Sequence, residues 1–456
     1  MTYDLVIKNA RVVDGSGMPA YAADVAVQAG RIAEIGRVTD SGRKTIDAAG
    51  RVVSPGFIDH HTHLDAHLLW DSSALPSPEH GVTTVITGNC GLSLMPARPG
   101  DGSALIGTFV RVEGIPRHIL ETIEWRWSTV AEYFGALEPG LGVNVASMIG
   151  HNALRQYVMG DDATEREATP REIEAMKDLL RQGIADGAMG YTINRNLGHF
   201  RDDGKPLPSR MAGDDEMLGL ASVLSEFNTA VVQHSNMGAH TLDDIDWFAR
   251  LGRASGRPVL WSSVNWLAKR PDFHREQLEY VDSYIREGLR LYGNTNIHLG
   301  RIKDPEAIAE IIRHPYTNVG MSDAGAHVDR TGSQGIATEL LGYWVREKEL
   351  VSLEQAVNVL TFKVASIFGF KDRGLVWRDW AADLVIFDPE TIGAEESVKA
   401  GDYPGGFERL VQHASGVDYT IVNGEVLIDH GQHTGARSGQ VIRNSWAEAH
   451  REGVAA

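Results

Sequence analysis

Two histidines one residue apart at the end of an apolar run can do metal chemistry. The segment Pro55-Gly56-Phe57-Ile58-Asp59-His60-His61-Thr62-His63-Leu64-Asp65 has this form. Residues two apart on a strand point the same way, so His61 and His63 can present two imidazoles to one cation. A histidine-rich polar loop would share the spacing, but here the pair closes an apolar run that follows a Pro-Gly turn. The single cysteine, Cys90, follows Thr87-Gly88-Asn89. In isolation it reads as a small buried hydrophobe. A thiolate zinc ligand is the other reading, because zinc lowers a thiol pKa enough to hold it deprotonated. His234 closes Ala230-Val231-Val232-Gln233, and Asp323 follows Val319-Gly320-Met321-Ser322. Taken alone, the first could be a core histidine bonded to a carbonyl and the second a turn aspartate.

The surrounding pattern alternates strand and helix. Expected strands are Phe57–Thr62, Val82–Thr87, Val143–Gly150, Ala188–Asn194, Ala230–His234, Pro258–Val264, Asn294–Leu299 and Asn318–Asp323. Thr169-Pro170-Arg171-Glu172 predicts a capping box with proline at the first helical position, and Ile173, Met176, Leu180 and Ile184 continue it as an apolar stripe. Ser352-Leu353-Glu354-Gln355 predicts a second box. Eight such units suggest a closed parallel barrel with its chemistry at the C-terminal strand ends. Both termini are strand-and-turn in character, and Asn423-Gly424 between apolar runs predicts a hairpin. Neither end is long enough for a core of its own, so the two are expected to join in one small β-domain.

Together these segments resemble the amidohydrolase superfamily, and within it the D-aminoacylase (N-acyl-D-amino-acid deacylase) branch. His61-Thr62-His63 is similar to the pair that ends the family's first barrel strand, and Gly81–Gly91 to the second strand, whose cysteine is a metal ligand. Gly150-His151-Asn152-Ala153-Leu154-Arg155 and Gly187-Ala188-Met189-Gly190 are similar to the third and fourth strands. Ser322-Asp323-Ala324-Gly325-Ala326-His327 is similar to the last-strand aspartate motif. The resemblance covers nearly the whole chain. It implies an α/β fold: a (β/α)8 TIM-type barrel over residues 57–370 and a small composite β-sandwich domain from residues 1–56 and 371–456. It further implies His61, His63, Cys90, His234 and Asp323 as metal ligands and Asp323 as the catalytic proton shuttle. His151 and His327 sit at expected strand ends, where they can touch substrate or an intermediate.

The chain departs from the family pattern in three places. The sixth-strand stretch Val259–Asn265 holds neither the family's histidine ligand nor the lysine that meets a substrate carboxylate. Ala188–Asn194 holds no lysine to bridge two metals, which favours the cysteine-type site. One tightly bound Zn2+ is therefore expected, with a second metal short of a ligand. The span from Ser263 to Asp323 has room for helix, strand and helix but no inserted lid, so the mouth is expected to be open unless Leu92–Trp127 folds over it. That stretch offers Arg111, Arg117, Trp125 and Trp127 to a substrate. Arg195 is the first choice for binding a carboxylate bidentately, ahead of Arg155 and Arg330. His60, His67, His80 and His240 read as loop or supporting residues.

Composition bounds the function. Among 456 residues, 43 Lys and Arg face 61 Asp and Glu, a net charge of −18. Such a surface repels phosphate backbones and anionic lipid, so neither nucleic acid nor membrane is an expected partner. One cysteine forms no internal disulfide, and no apolar run approaches a membrane span, so a cytoplasmic protein is expected. The N-terminal residues lack the basic and apolar regions of a signal peptide. The expected activity is zinc-dependent hydrolysis of the C–N amide bond in an N-acyl amino acid or related small amide, a small-molecule substrate. A homo-oligomer is compatible with all of this. The alternatives are a mononuclear deaminase-like or ester/lactam hydrolase, and a non-catalytic scaffold on the same fold.

Overall fold

The structure is a computed structural model and describes residues 2–138, 140–235, 241–264, 266–297, 304–320 and 322–453. Its parallel strands fall into two sheets. Phe57–Asp59, Val82–Thr87 and Asn144–Ser147 form the first. Ile149–Gly150, Gly190–Asn194, Val231–Ser235, Val259–Ser262, Leu291–Thr295 and Thr317–Val319 form the second, paired in chain order and all parallel. Only Met148 separates Asn144–Ser147 from Ile149–Gly150, and its amide still bonds Thr87 at 2.9 Å. At the other edge Thr62 and Ala324 form a parallel bridge, which brings the ends of the first and last strands together.

One strand lies earlier than expected. Leu291, fully buried, pairs with Val259, so the ladder runs over Leu291–Thr295 rather than from Asn294 to Leu299, which lies outside the described residues. Val82–Thr87 appears with its expected bounds, and Phe57–Thr62, Ala188–Asn194 and Pro258–Val264 appear shortened. Ala230–His234 and Asn318–Asp323 appear as Val231–Ser235 and Thr317–Val319, and Val143–Gly150 is divided at Met148. Apolar side chains alternate between two environments. Ile58, Ile86, Ala146, Met189, Val231 and Leu260 pack together on the inner side. Val85, Val145, Tyr191, Val232, Val259 and Trp261 pack outward against helices.

The helices carry their own start signals. Thr169 and Glu172 close a capping box, and Pro170–Ala185 buries Met176, Leu180 and Ile184. Ser352 and Gln355 cap Leu353–Leu360 in the same way. These reciprocal bonds satisfy amides that the first helical turn leaves without partners. Among the described residues no helix is long and apolar enough to cross a membrane.

Strands from both termini pair into one nine-stranded sheet. Val52–Pro55 bonds Tyr3–Val12 on one side and Leu384–Phe387 on the other. Asn423 and Gly424, with φ of 46° and 84°, make the tight turn between Val417–Val422 and Glu425–Asp429. Arg373 ties this sheet to the parallel strands. It pairs with buried Asp383, which also accepts from Asn144 Nδ2 at 2.9 Å and from the Asn423 amide at 2.7 Å. Removing one partner of a buried pair leaves the other charge unpaired, at a cost of about 3–5 kcal/mol. Arg373→Met is therefore expected to lower stability by that order in urea unfolding. Arg270→Met, which loses an exposed pair with Glu276, should shift it by less than about 1 kcal/mol.

Candidate metal centre

Three ligand atoms converge beyond the strand ends. One atom each from His61, His63 and Cys90 lies within 4.8 Å of the others. His61 Nε2 is 3.2 Å from Cys90 Sγ. Asp323 Oδ1 completes the group, 3.3 Å from His61 Nε2 and 3.8 Å from His63 Nε2. Both histidines are about 1–2 % exposed, whereas the Asp323 side chain keeps 29 %, so the carboxylate opens the group to the mouth.

The backbone is bent to make this convergence. Cys90, Asp323 and His327 have φ of 54°, 51° and 49°, left-handed values that cost a non-glycine residue roughly 1–2 kcal/mol each. Gly88 and Gly325 frame two of these bends. A Cβ on Gly88 would sit 2.0 Å from Met148 O, and one on Gly325 would sit 2.6 Å from His63 O. The Gly88 amide is tied to Asp65 Oδ1 at 3.0 Å, and the Cys90 amide donates to Gln233 Oε1 at 3.1 Å.

Burial favours the neutral forms of the two imidazoles and the thiol. Burial pushes the His63 imidazole down to about 3 and lowers His61, although Asp323 pulls His61 back up. Burial raises the Cys90 thiol well above its usual range, and Asp323 and Glu113 add to the rise. Burial also lifts Asp65 to about 7. Two neutral imidazoles, a carboxylate and a thiol that a cation would deprotonate form a donor set that fits zinc.

Behind the ligands stand residues that spacing alone did not single out. Glu113, 1 % exposed, lies 3.3 Å from His63 Nδ1, the position of a carboxylate that orients a ligating imidazole. It ends helix Gly102–Glu113, one turn after buried Phe109, and an acid on an apolar stripe was the available signal. His199 is half-buried, held by Asn194 at 3.0 Å, and is pushed down to about 4 by burial and then by His327. It sits in an aperiodic loop that gave no signal. Gln233 bonds Asn89 and reaches His61 Nδ1 at 3.4 Å.

Two expected site residues are directed elsewhere. Gln233 and Ser235 both touch Cys90, so strand alternation turns His234 to the opposite face. There its ring packs on Phe248 and Trp247, with centroids 5.3 and 6.3 Å away, and among the described residues neither ring nitrogen has a hydrogen-bond partner. His151 is fully buried, with Nε2 2.8 Å from Glu216, which also takes Arg155 at 2.7 Å. The buried pair draws both away from the mouth. His327 stays half-buried at the mouth. Arg195 lies at the rim, over the Trp247 ring and 2.7 Å from Asp214.

The remaining expectations divide. Arg330 is exposed and bonds neighbouring Asp329. Arg117 is committed to Asp202, Trp127 is buried and bonds Leu94 O, and Arg111 stacks on Phe200. His60, His67 and His80 are buried and bonded to Asn294, Asp71 and Thr338. His240 lies outside the described residues.

Known proteins share this arrangement's chain. The amidohydrolase family pattern matches residues 44–317 and 295–428. N-acyl-D-aspartate deacylase of Alcaligenes xylosoxydans xylosoxydans is 30% identical over 96% of this chain and 95% of its own. A D-aminoacylase structure described for its binuclear metal centre, with one-metal activation and second-metal attenuation, superposes with a TM-score of 0.81. It is 27% identical over 97% of this chain and 100% of that one. N-acyl-D-glutamate deacylase of Bordetella bronchiseptica, complexed with zinc and a phosphonate mimic of the tetrahedral intermediate, gives 0.78 at 26% identity, with 97% and 100% covered.

The geometry predicts which substitutions empty the centre. Cys90→Ser should lose bound metal in elemental analysis, and Cys90 in the wild type should react faster with thiol reagents after chelation. His234→Phe should keep wild-type metal content, because its ring serves packing here. Metal loss in the phenylalanine variant would instead mean that the strand end turns His234 inward when metal binds.

Proposed function

The chain belongs to the amidohydrolase family, in its D-aminoacylase branch, and we propose that it hydrolyses the amide bond of an N-acyl amino acid. It is a metal-dependent hydrolase of carbon–nitrogen bonds other than peptide bonds. The observation that carries the substrate reading is the convergence of His61, His63, Cys90 and Asp323 at the strand ends of a chain from this branch. Those four residues would hold zinc. Zinc supplies a Lewis acid for the scissile carbonyl and an activated water nucleophile.

The protein's own residues do the rest. Asp323, far more exposed than the two histidines, takes the proton of the attacking water at its carboxylate and passes it to the leaving nitrogen. Glu113 holds the His63 ring in place from behind. His327 is available to the oxyanion. Arg195 turns part of its guanidinium from Asp214 to the substrate carboxylate, kept in place by its stacking on Trp247.

The same reading extends to the fold. The strands of residues 57–370 form one closed (β/α)8 barrel, supported by the Thr62–Ala324 bridge and by continuity across Met148. Residues 1–56 and 371–456 form the composite β-sandwich domain, supported by the pairing of Val52–Pro55 with Leu384–Phe387.

Metal analysis should find about one tightly held zinc per chain, since the sixth strand offers no histidine. Turnover should appear on a panel of N-acyl-D and N-acyl-L amino acids. Asp323→Asn should fold normally, still bind substrate and lose ~10²–10⁴-fold in rate. Activity within a few-fold of wild type would remove Asp323 from the proton path.

A further inference from the structure

At the opposite end of the parallel strands lies a cavity of about 450 Å3 that the proposed hydrolysis does not use. Tyr292 opens strand Leu291–Thr295 and Pro315 precedes strand Thr317–Val319, so the cavity faces the N-terminal strand ends. The ligands described above follow their strands and occupy the other end. Ser16 and Gly17, in the connection between strands Tyr3–Val12 and Tyr21–Gln28, and helices Leu353–Leu360 and Phe362–Phe368 line it. A volume of this size is within the range of small-molecule pockets, ~300–1,000 Å3.

Its lining departs from the rest of this acidic chain. No Asp or Glu borders it among the described residues, but Arg313 and Lys363 do. Lys363 is half-buried, and among the described residues its Nζ bonds only a carbonyl, His314 O, at 3.1 Å. Among the same residues Arg313 bonds only a carbonyl, Ala309 O, at 3.1 Å. Among the described residues neither has a carboxylate within ion-pair distance, although many of the chain's other basic residues do. Burial pushes Lys363 down to about 8, and no neighbouring acid opposes the shift. An incompletely compensated cation in a partly dry pocket attracts an anion more strongly than one on an open surface. The apolar wall of the lining is Ile312, Val351, Val359, Phe362 and Ile367.

We propose that this cavity is a second ligand site, taking an amphipathic carboxylate with its head on Lys363 and Arg313 and its chain along the apolar wall. A phosphate would leave that wall uncovered, and an alcohol or amine would leave the cations uncompensated.

The test uses octanoate as probe and the full-length protein, by calorimetric titration, with octanol, octylamine and inorganic phosphate as comparisons. Octanoate should bind, and Lys363→Met should weaken that binding about tenfold or more, the worth of a charge-assisted hydrogen bond. Lys363→Arg should restore most of it. The Lys363-dependent binding should persist in Asp323→Asn, which separates this site from the metal centre and from the proposed hydrolysis. Circular dichroism confirms that each variant is folded. Three outcomes would overturn the proposal: no octanoate binding at millimolar concentration, equal binding by Lys363→Met, or preference for phosphate or octanol over octanoate.

Discussion

The buried end of the parallel strands carries more latent negative charge than a dry interior tolerates. Cys90, Asp65 and Glu113 are each pushed toward their protonated forms by burial, and Asp323 presses the same way on Cys90 and Glu113. His61 and His63 are pushed toward neutrality by the same burial. A divalent cation reverses the balance: it holds the thiolate and stabilises the carboxylates, while neutral imidazoles are already its proper ligands. The rest of the site can be read as the means of keeping these groups together despite their repulsion.

Those means are mainly backbone geometry. A straight strand end would point successive side chains to opposite faces, and the left-handed residues at Cys90, Asp323 and His327 break that alternation. Unusual backbone at three functional positions is sustained because neighbouring bonds over-determine it. The Cys90 amide is held by Gln233, and the Asp323 amide by His61 O at 3.2 Å. The bond from His63 N to Ala324 O, 2.7 Å, fastens the first strand to the last where both supply ligands. The residues that meet the cation and those that join the strands are thus neighbours in the same few turns.

What could be read in the sequence followed from how locally each feature is encoded. His61-x-His63 is visible because both histidines follow one strand end two residues apart, and the Thr169 and Ser352 boxes because their partners lie three residues away. Cys90 and Asp323 emerged from the family resemblance, since nothing in their neighbours specifies an encounter across the sheet. His234 shows the limit of such an assignment. It ends the right strand, but the inward position is taken by Gln233, and a shift of one residue on a strand changes the face. His151 was lost to Glu216, a partner 65 residues away that no spacing rule connects to it. Glu113 was legible only as an acid on an apolar helical stripe, and His199 not at all.

The sixth strand brings these points together. Trp261 packs outward on Phe248 with ring centroids 5.2 Å apart, and the small residues Ser262 and Ser263 follow it in a stretch, Val259–Asn265, without histidine or lysine. Small hydroxyls leave space but supply neither a strong ligand nor a cation. The metal demand therefore falls on the first, second and last strands, whose ligands do converge. In the proposed reading a substrate carboxylate would then fall to arginines from loops and helices, of which Arg195 lies over the Trp247 ring. Loss of two side chains from one strand thus shifts the site toward one edge without dissolving it, because the ligands that remain are held by bonds the sixth strand does not make.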